Sequence, residues 1–146
     1  MKWVALVTWV LTAGGGFVML GLWLKHGGMQ QGDEPGDRIR PARILGHFGL
    51  AATGLVLWII YVASDSDALA WIAFVLLAIV ALMGFSMLAI WLRQRSREPI
   101  VAAPAGVGPG DGPAEQRFPV PIVAGHGLLA ATTLVLVLLV ALGVGD

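Results

Sequence analysis

Two histidines occupy matching places in two copies of one sequence pattern. Gly46-His47 begins a stretch that is repeated from Gly125-His126, and each copy continues three positions after the histidine with Leu-Ala-Ala-Thr. Imidazole is a common ligand of transition metals and haem iron. Both histidines fall in apolar segments without charged residues, where an ionisable side chain is costly and by default indicates function. The sequence therefore predicts a site built from His47 and His126, with metal or haem iron as its occupant.

A second pair of stretches carries the same duplication. Residues 3–25 align with residues 71–93, and the identities are too dense for chance. The two alignments together predict a tandem repeat, with repeat one at 3–63 and repeat two at 71–145. Identities in the first alignment include Trp3 with Trp71, Ala13 with Ala81, Gly16-Phe17 with Gly84-Phe85, Met19-Leu20 with Met87-Leu88, and Trp23-Leu24 with Trp91-Leu92.

The composition places these repeats in a lipid bilayer. Of the 146 residues, 58% are hydrophobic and 12% are charged, which is far from the composition of soluble domains. Charged side chains are missing from 3–24, 44–63, 68–92 and 119–145. With a rise of about 1.5 Å per residue, each stretch can cross a hydrocarbon core of roughly 30 Å as a helix. We therefore predict a single integral membrane domain over 1–146.

The expected fold class is all-α, a four-helix transmembrane bundle. Each repeat supplies one helical hairpin, and two hairpins of the same orientation are related by a pseudo-twofold axis along the membrane normal. In a sequential antiparallel arrangement, the second and fourth helices are diagonal neighbours. His47 and His126 would then face each other across the axis.

Basic residues predict the orientation. They flank or occupy the first and third loops, which makes both loops cytoplasmic and puts both termini outside a bacterial-type plasma membrane. Tryptophans spaced twenty residues apart predict an aromatic belt at each interface, formed by Trp3 and Trp71 on one side and Trp23 and Trp91 on the other. The third loop, 94–118, is rich in Pro, Gly and Ala, which predicts a flexible linker without a site. The basic residues are Lys25, Arg38, Arg40, Arg43, Arg93, Arg95, Arg97 and Arg117.

The neighbours of the histidines predict an apolar layer near the cytoplasmic face. Small side chains four and seven positions after each histidine would leave room beside the imidazoles for a flat ligand; they are Ala51, Gly54, Ala130 and Thr133. Met19 and Met87 are expected in the same layer. The run Gly14-Gly15-Gly16 in the first span is expected to have a structural role, because glycine weakens a helix. Close approach of a neighbouring helix and a kink are the two explanations.

Two chemistries fit such a layer, and a structural role competes with both. Haem b takes two axial imidazoles from facing helices, with Arg40, Arg43 and Arg117 placed to meet its propionates. Alternatively, two imidazoles and two thioethers suit Cu(I). Copper needs a tighter approach of four side chains than a diagonal pair gives, so haem ranks first. In the structural alternative, the histidines merely hydrogen-bond within a non-catalytic subunit of a membrane complex. His26, aligned with Gln94, is expected to be solvated or interfacial.

The Gly-His starts of the second and fourth helices resemble the histidine-led helices of small membrane b-type cytochromes. The whole chain resembles small four-span bacterial membrane proteins of uncharacterised function. The first resemblance implies haem b and a role in electron transfer or haem handling. The chain departs from those cytochromes because it has no histidine near the outer side for a second haem.

The sequence lacks the residues that several classes of function require. The chain has no cysteine, which excludes thiolate sites and thiol catalysis. The predicted spans contain no carboxylate, which argues against a proton-coupled exchanger. Nothing indicates nucleic acid binding. The partners that fit this interpretation are the bilayer, a quinone, a larger membrane complex or a second copy of the chain, and the residues leave open whether the protein is an enzyme.

Overall fold

The computed structural model describes residues 1–30, 38–96 and 112–145. These residues form helices joined by irregular connections. Its long helices are α1 (Lys2–Lys25), α2 (Pro41–Ser64), α3 (Asp67–Ser96) and α4 (Val120–Ala141). Two short 3₁₀ helices, Gly28–Gln30 and Ala114–Arg117, lie in the connections. Proline opens α2 at Pro41, as predicted, because the first helical residue needs no N–H partner.

All four long helices are long and apolar enough to cross a membrane. Large apolar side chains point outward along them, among them Leu82 and Leu128, which are 70% and 71% exposed. Apolar surface of this extent is stable against lipid tails and not against water. The predictions of an all-α fold with four spans and of an integral membrane protein are confirmed at this level.

The helices form a ring in chain order. Helix α1 packs along α2 and α4, and α3 also packs along α2 and α4. Helices α2 and α4 therefore lie on one diagonal of the bundle. The most extensive contacts join α1 to α4 and α2 to α3, so neither predicted hairpin is a packing unit of its own.

A cluster of large core side chains lies in the half of the bundle where α1 begins and α2 ends. Trp58 packs on Trp9 at a ring distance of 6.2 Å and on Tyr61 at 4.8 Å. Gly54 makes room for Trp9, since a Cβ atom at that glycine would lie 3.1 Å from the indole. The indole of Trp58 is buried against α1 and donates to the Lys2 carbonyl at 3.4 Å. These contacts lock α1 and α2 together at this end.

The opposite end is called the basic end here, because it carries Lys25, Arg43, Arg93, Arg95 and Arg117. Helices α1 and α3 finish there, while α2 and α4 begin there. The 3₁₀ helix Ala114–Arg117 packs against both α1 and α3 and covers this end.

Part of the segment predicted to be a flexible linker, 94–118, is helical in the structure. Helix α3 continues through Ser96, and Ala114–Arg117 is helical with Ala114 and Glu115 buried. Residues 97–111 lie outside the described residues.

The tryptophans at the two ends of the bundle differ in exposure, because the loops cover the basic end. Trp3 is 63% exposed as an interfacial residue should be, but Trp23 and Trp91 are buried beneath the loops.

Candidate functional site

The structure brings His47 and His126 together across the diagonal of the bundle. Each is the seventh residue of its helix, His47 in α2 and His126 in α4. Their ring centres lie 6.4 Å apart, and the ring planes are inclined by 57°. Both residues are partly buried. Two imidazoles thus share one layer, about 9 Å along their helices from the basic end at a rise of about 1.5 Å per residue.

A backbone carbonyl fixes the orientation of His126. Its Nδ1 atom lies 2.9 Å from the carbonyl oxygen of Thr12 in α1. A carbonyl can only accept, so Nδ1 carries the proton in the neutral ring and Nε2 keeps its lone pair. This arrangement is the one that orients histidine ligands in metal sites, where the second ring nitrogen binds the metal.

His47 is held differently. Its ring faces the backbone of Val80 in α3, the residue that aligns with Thr12 in the sequence repeat. Nδ1 of His47 is nevertheless buried and has no hydrogen-bond partner of acceptable geometry among the described residues. The two imidazoles therefore face equivalent positions on the neighbouring helices, but only His126 has its tautomer set by a complete hydrogen bond.

Glycines on the flanking helices α1 and α3 make room for the two imidazoles. These glycines, Gly15, Gly16 and Gly84, are called the glycine seats here. A Cβ atom at Gly16 would lie 3.3 Å from Cε1 of His126, and one at Gly84 would lie 3.3 Å from Cε1 of His47. At Gly15 a Cβ atom would lie 3.4 Å from the His126 Cβ atom. Helix α1 is continuous through this run, and the close approach of His126 accounts for Gly15 and Gly16, whereas a Cβ atom at Gly14 would meet nothing within 4 Å.

Two residues expected to leave open space beside the imidazoles do not. Gly54 is buried against Trp9, as described above. Thr133 is fully buried, and its hydroxyl oxygen lies 3.3 Å from that of Thr12. Side chains of α1 fill both places, because α1 packs close to α2 and α4 at this depth. The expectation of a slot beside these two positions is therefore wrong.

The other predicted residues lie nearer the basic end or along the same helices. Ala51, Ala130, Met19 and Met87 are partly buried, Arg43 is partly buried, and Arg40 and Arg117 are exposed. The sequence did not single out Met83, whose methyl group approaches Gly46, the residue before His47. His26 bonds through Nδ1 to the Leu22 carbonyl of its own helix at 2.7 Å. That contact holds the His26 ring against its own helix.

Sequence reasoning missed a buried carboxylate at the basic end. Glu115 is 0% exposed, and its Oε1 atom accepts from the Ile39 backbone N–H and from the Gln94 side-chain amide, both at 2.8 Å. The Trp91 indole donates to the Glu115 carbonyl at 3.1 Å. Glu115 thereby joins the first loop, the end of α3 and the segment before α4. A glutamate in a loop rich in Pro and Gly carries no signal that would have identified it as buried.

Within residues 1–30, 38–96 and 112–145, no group of three or more His, Cys, Asp or Glu side chains comes together to hold a metal ion. The candidate site is thus the histidine pair with its glycine seats. No protein-family model, no curated protein and no solved structure matches the chain.

Proposed function

We propose that the protein binds one b-type haem between His47 and His126 and takes part in electron transfer or haem handling. The observation that carries the proposal is the 6.4 Å separation of the two ring centres across the α2–α4 diagonal. With metal–nitrogen bonds of about 2.0 Å on opposite sides of one ion, two imidazole centres lie roughly 6 Å apart. Two axial ligands are all that a haem requires of the protein, so a larger cluster of ligands is not needed.

The hydrogen bonding of His126 supports ligation through Nε2. Its proton is committed to the Thr12 carbonyl, which leaves the Nε2 lone pair for iron. The inclination of 57° between the ring planes is compatible with ligation, because two rings on a common axis can rotate about it.

The glycine seats let both imidazoles lie close to the flanking helices. Gly16 on α1 and Gly84 on α3 present no side chain to the histidine pair from the two flanking helices. Small residues are the usual means of admitting a close neighbour between membrane helices. Arg43, partly buried at the basic end, would meet the negative charge of the propionates.

The same contacts support the tandem repeat with its pseudo-twofold axis. Gly16 and Gly84 align in the sequence, and each lies equally close to the histidine of the other repeat. The close pairing of α1 with α4 matches that of α3 with α2, as a twofold axis along the membrane normal requires. The basic end is proposed to face the cytoplasm of a bacterial-type plasma membrane, with both termini outside.

A bound haem would supply one-electron chemistry, and His47 and His126 would hold it. The chain contains three histidines, and His26 lies apart from the pair. One haem near one face leaves no second centre to carry electrons across the bilayer. The proposed role is therefore exchange with a quinone, or haem handling within a larger membrane complex.

The test is the visible spectrum of the detergent-purified protein before and after reduction, with metal analysis of the same sample. We expect a Soret band and split visible bands on reduction. His47→Ala and His126→Ala should each lose the pigment, and the matched control His26→Ala should keep it. A colourless protein containing copper would replace haem with Cu(I), and a protein containing neither would favour the structural subunit.

A further inference from the structure

We infer that a lipid-soluble quinone binds with its ring on the α3–α4 side of the bundle, at Phe85 and Gly127. The inference rests on the proposed function, because it gives the histidine site a partner and a place for that partner. The two sequence repeats differ at this place, and the difference leaves room for one flat ring.

In repeat one, an aromatic pair joins α1 to α2 in the histidine layer. The Phe17 ring of α1 meets the Phe48 ring of α2 edge to face, with ring centres 5.3 Å apart. Phe17 directly follows Gly16, and Phe48 directly follows His47. Edge-to-face contacts between aromatic rings are favourable beyond the area that they bury. The Phe48 ring therefore fills the surface between α1 and α2 beside the imidazoles.

Repeat two keeps one ring of this pair and lacks the other. Phe85 aligns with Phe17, but Gly127 aligns with Phe48. Gly127 is exposed, and a Cβ atom there would meet nothing within 4 Å. Phe85 is 62% exposed. With the two repeats related by the proposed twofold axis, the place that the Phe48 ring fills in repeat one is open in repeat two.

The surroundings of this open place indicate its occupant. Leu128, the residue after Gly127, is 71% exposed on a membrane-spanning helix, so a molecule that reaches this surface comes from the lipid. Phe48 shows that a flat six-membered ring fits the equivalent place. A quinone joins such a ring to a lipid-soluble tail. Gly127 directly follows His126, so the bound ring would lie in the histidine layer.

The experiment titrates the haem-loaded protein with ubiquinone-1 in detergent and measures the heat of binding. Gly127→Phe supplies from the chain the ring that the quinone would otherwise provide. Its quinone affinity should fall at least about fivefold, the equivalent of the smallest usual cost of overpacking. Gly49→Phe is the matched control, because Gly49 is also exposed and a Cβ atom there meets nothing within 4 Å. It should bind quinone as the unaltered protein does, and the Soret band should show that both variants are folded.

A second pair of variants tests the ring on which the quinone would rest. Phe85→Ala should weaken quinone binding about two- to twelvefold, because it removes one edge-to-face contact. Phe17→Ala is the matched control, since Phe17 aligns with Phe85 and is 58% exposed. It should leave the quinone affinity unchanged.

Unchanged quinone affinity in Gly127→Phe, or pigmented protein without saturable quinone binding, would overturn the inference and leave the histidine site intact. A change in particle mass in Gly127→Phe with unchanged quinone affinity would assign this surface to a second copy of the chain and would also overturn it. A protein that contains no haem but binds quinone through Gly127 and Phe85 would overturn the proposed function alone.

Discussion

The glycine at position 16 offers a sharp test of how the histidine pair is seated. Replacing it with leucine places a branched side chain where even a Cβ atom lies 3.3 Å from Cε1 of His126. Gly14 is the matched control, because it belongs to the same run and a Cβ atom there meets nothing within 4 Å. Overpacking in a close-packed site costs typically 1–3 kcal/mol, or the imidazole must move.

We therefore expect Gly16→Leu to lose most of its bound haem and to unfold at a lower temperature. Gly14→Leu should keep its haem, and it should gain up to about 1 kcal/mol from the higher helix propensity of leucine. The assay is the ratio of Soret to protein absorbance, followed by thermal unfolding in the same detergent. Full pigment in Gly16→Leu, or equal losses in both variants, would refute the account of the seat.

Three further substitutions test the packing around the site by thermal unfolding in detergent. Glu115→Ala should destabilise the protein by about 1–3 kcal/mol, because it removes the acceptor of two buried N–H donors; an unchanged midpoint would contradict the joining role of this side chain. Thr133→Val keeps the side-chain shape and removes the hydroxyl, which donates to the Leu129 carbonyl at 2.7 Å and lies 3.3 Å from the Thr12 oxygen, so we expect a loss of about 1 kcal/mol, and an unchanged or raised midpoint would show that this hydroxyl does not stabilise the bundle. Gly28→Ala should shift the tryptophan fluorescence and lower the midpoint, since its Cβ atom would overlap the Trp23 ring, and wild-type values for both would contradict the packing of Gly28 on that ring.

The spans and their order were predictable because they depend on local composition. Uncharged stretches of membrane length marked all four helices, and Pro41 marked the start of α2. The glycine run was also informative at the level of sequence, since three consecutive glycines in a span indicate a close neighbour or a kink. The identity of that neighbour, His126, needed the packing of α1 against α4.

The predictions that were wrong concern contacts between residues far apart in the chain. Gly54 and Thr133 occupy aligned positions, yet Trp9 fills the space beside Gly54 and Thr12 meets Thr133. Which large side chain fills the space beside a small residue depends on the rotation of each helix, and composition does not fix that rotation. Burial of Glu115 and Trp23 likewise depends on how the loops fold over the basic end.

The most direct test of the central claim is the low-temperature electron paramagnetic resonance spectrum of the oxidised protein, with haem quantified in the same sample. Two imidazoles are strong axial ligands, so the account predicts a low-spin ferric signal from one haem per chain, lost when either His47 or His126 is replaced. A high-spin signal, a stoichiometry far below one, or a low-spin signal that survives both replacements would contradict it.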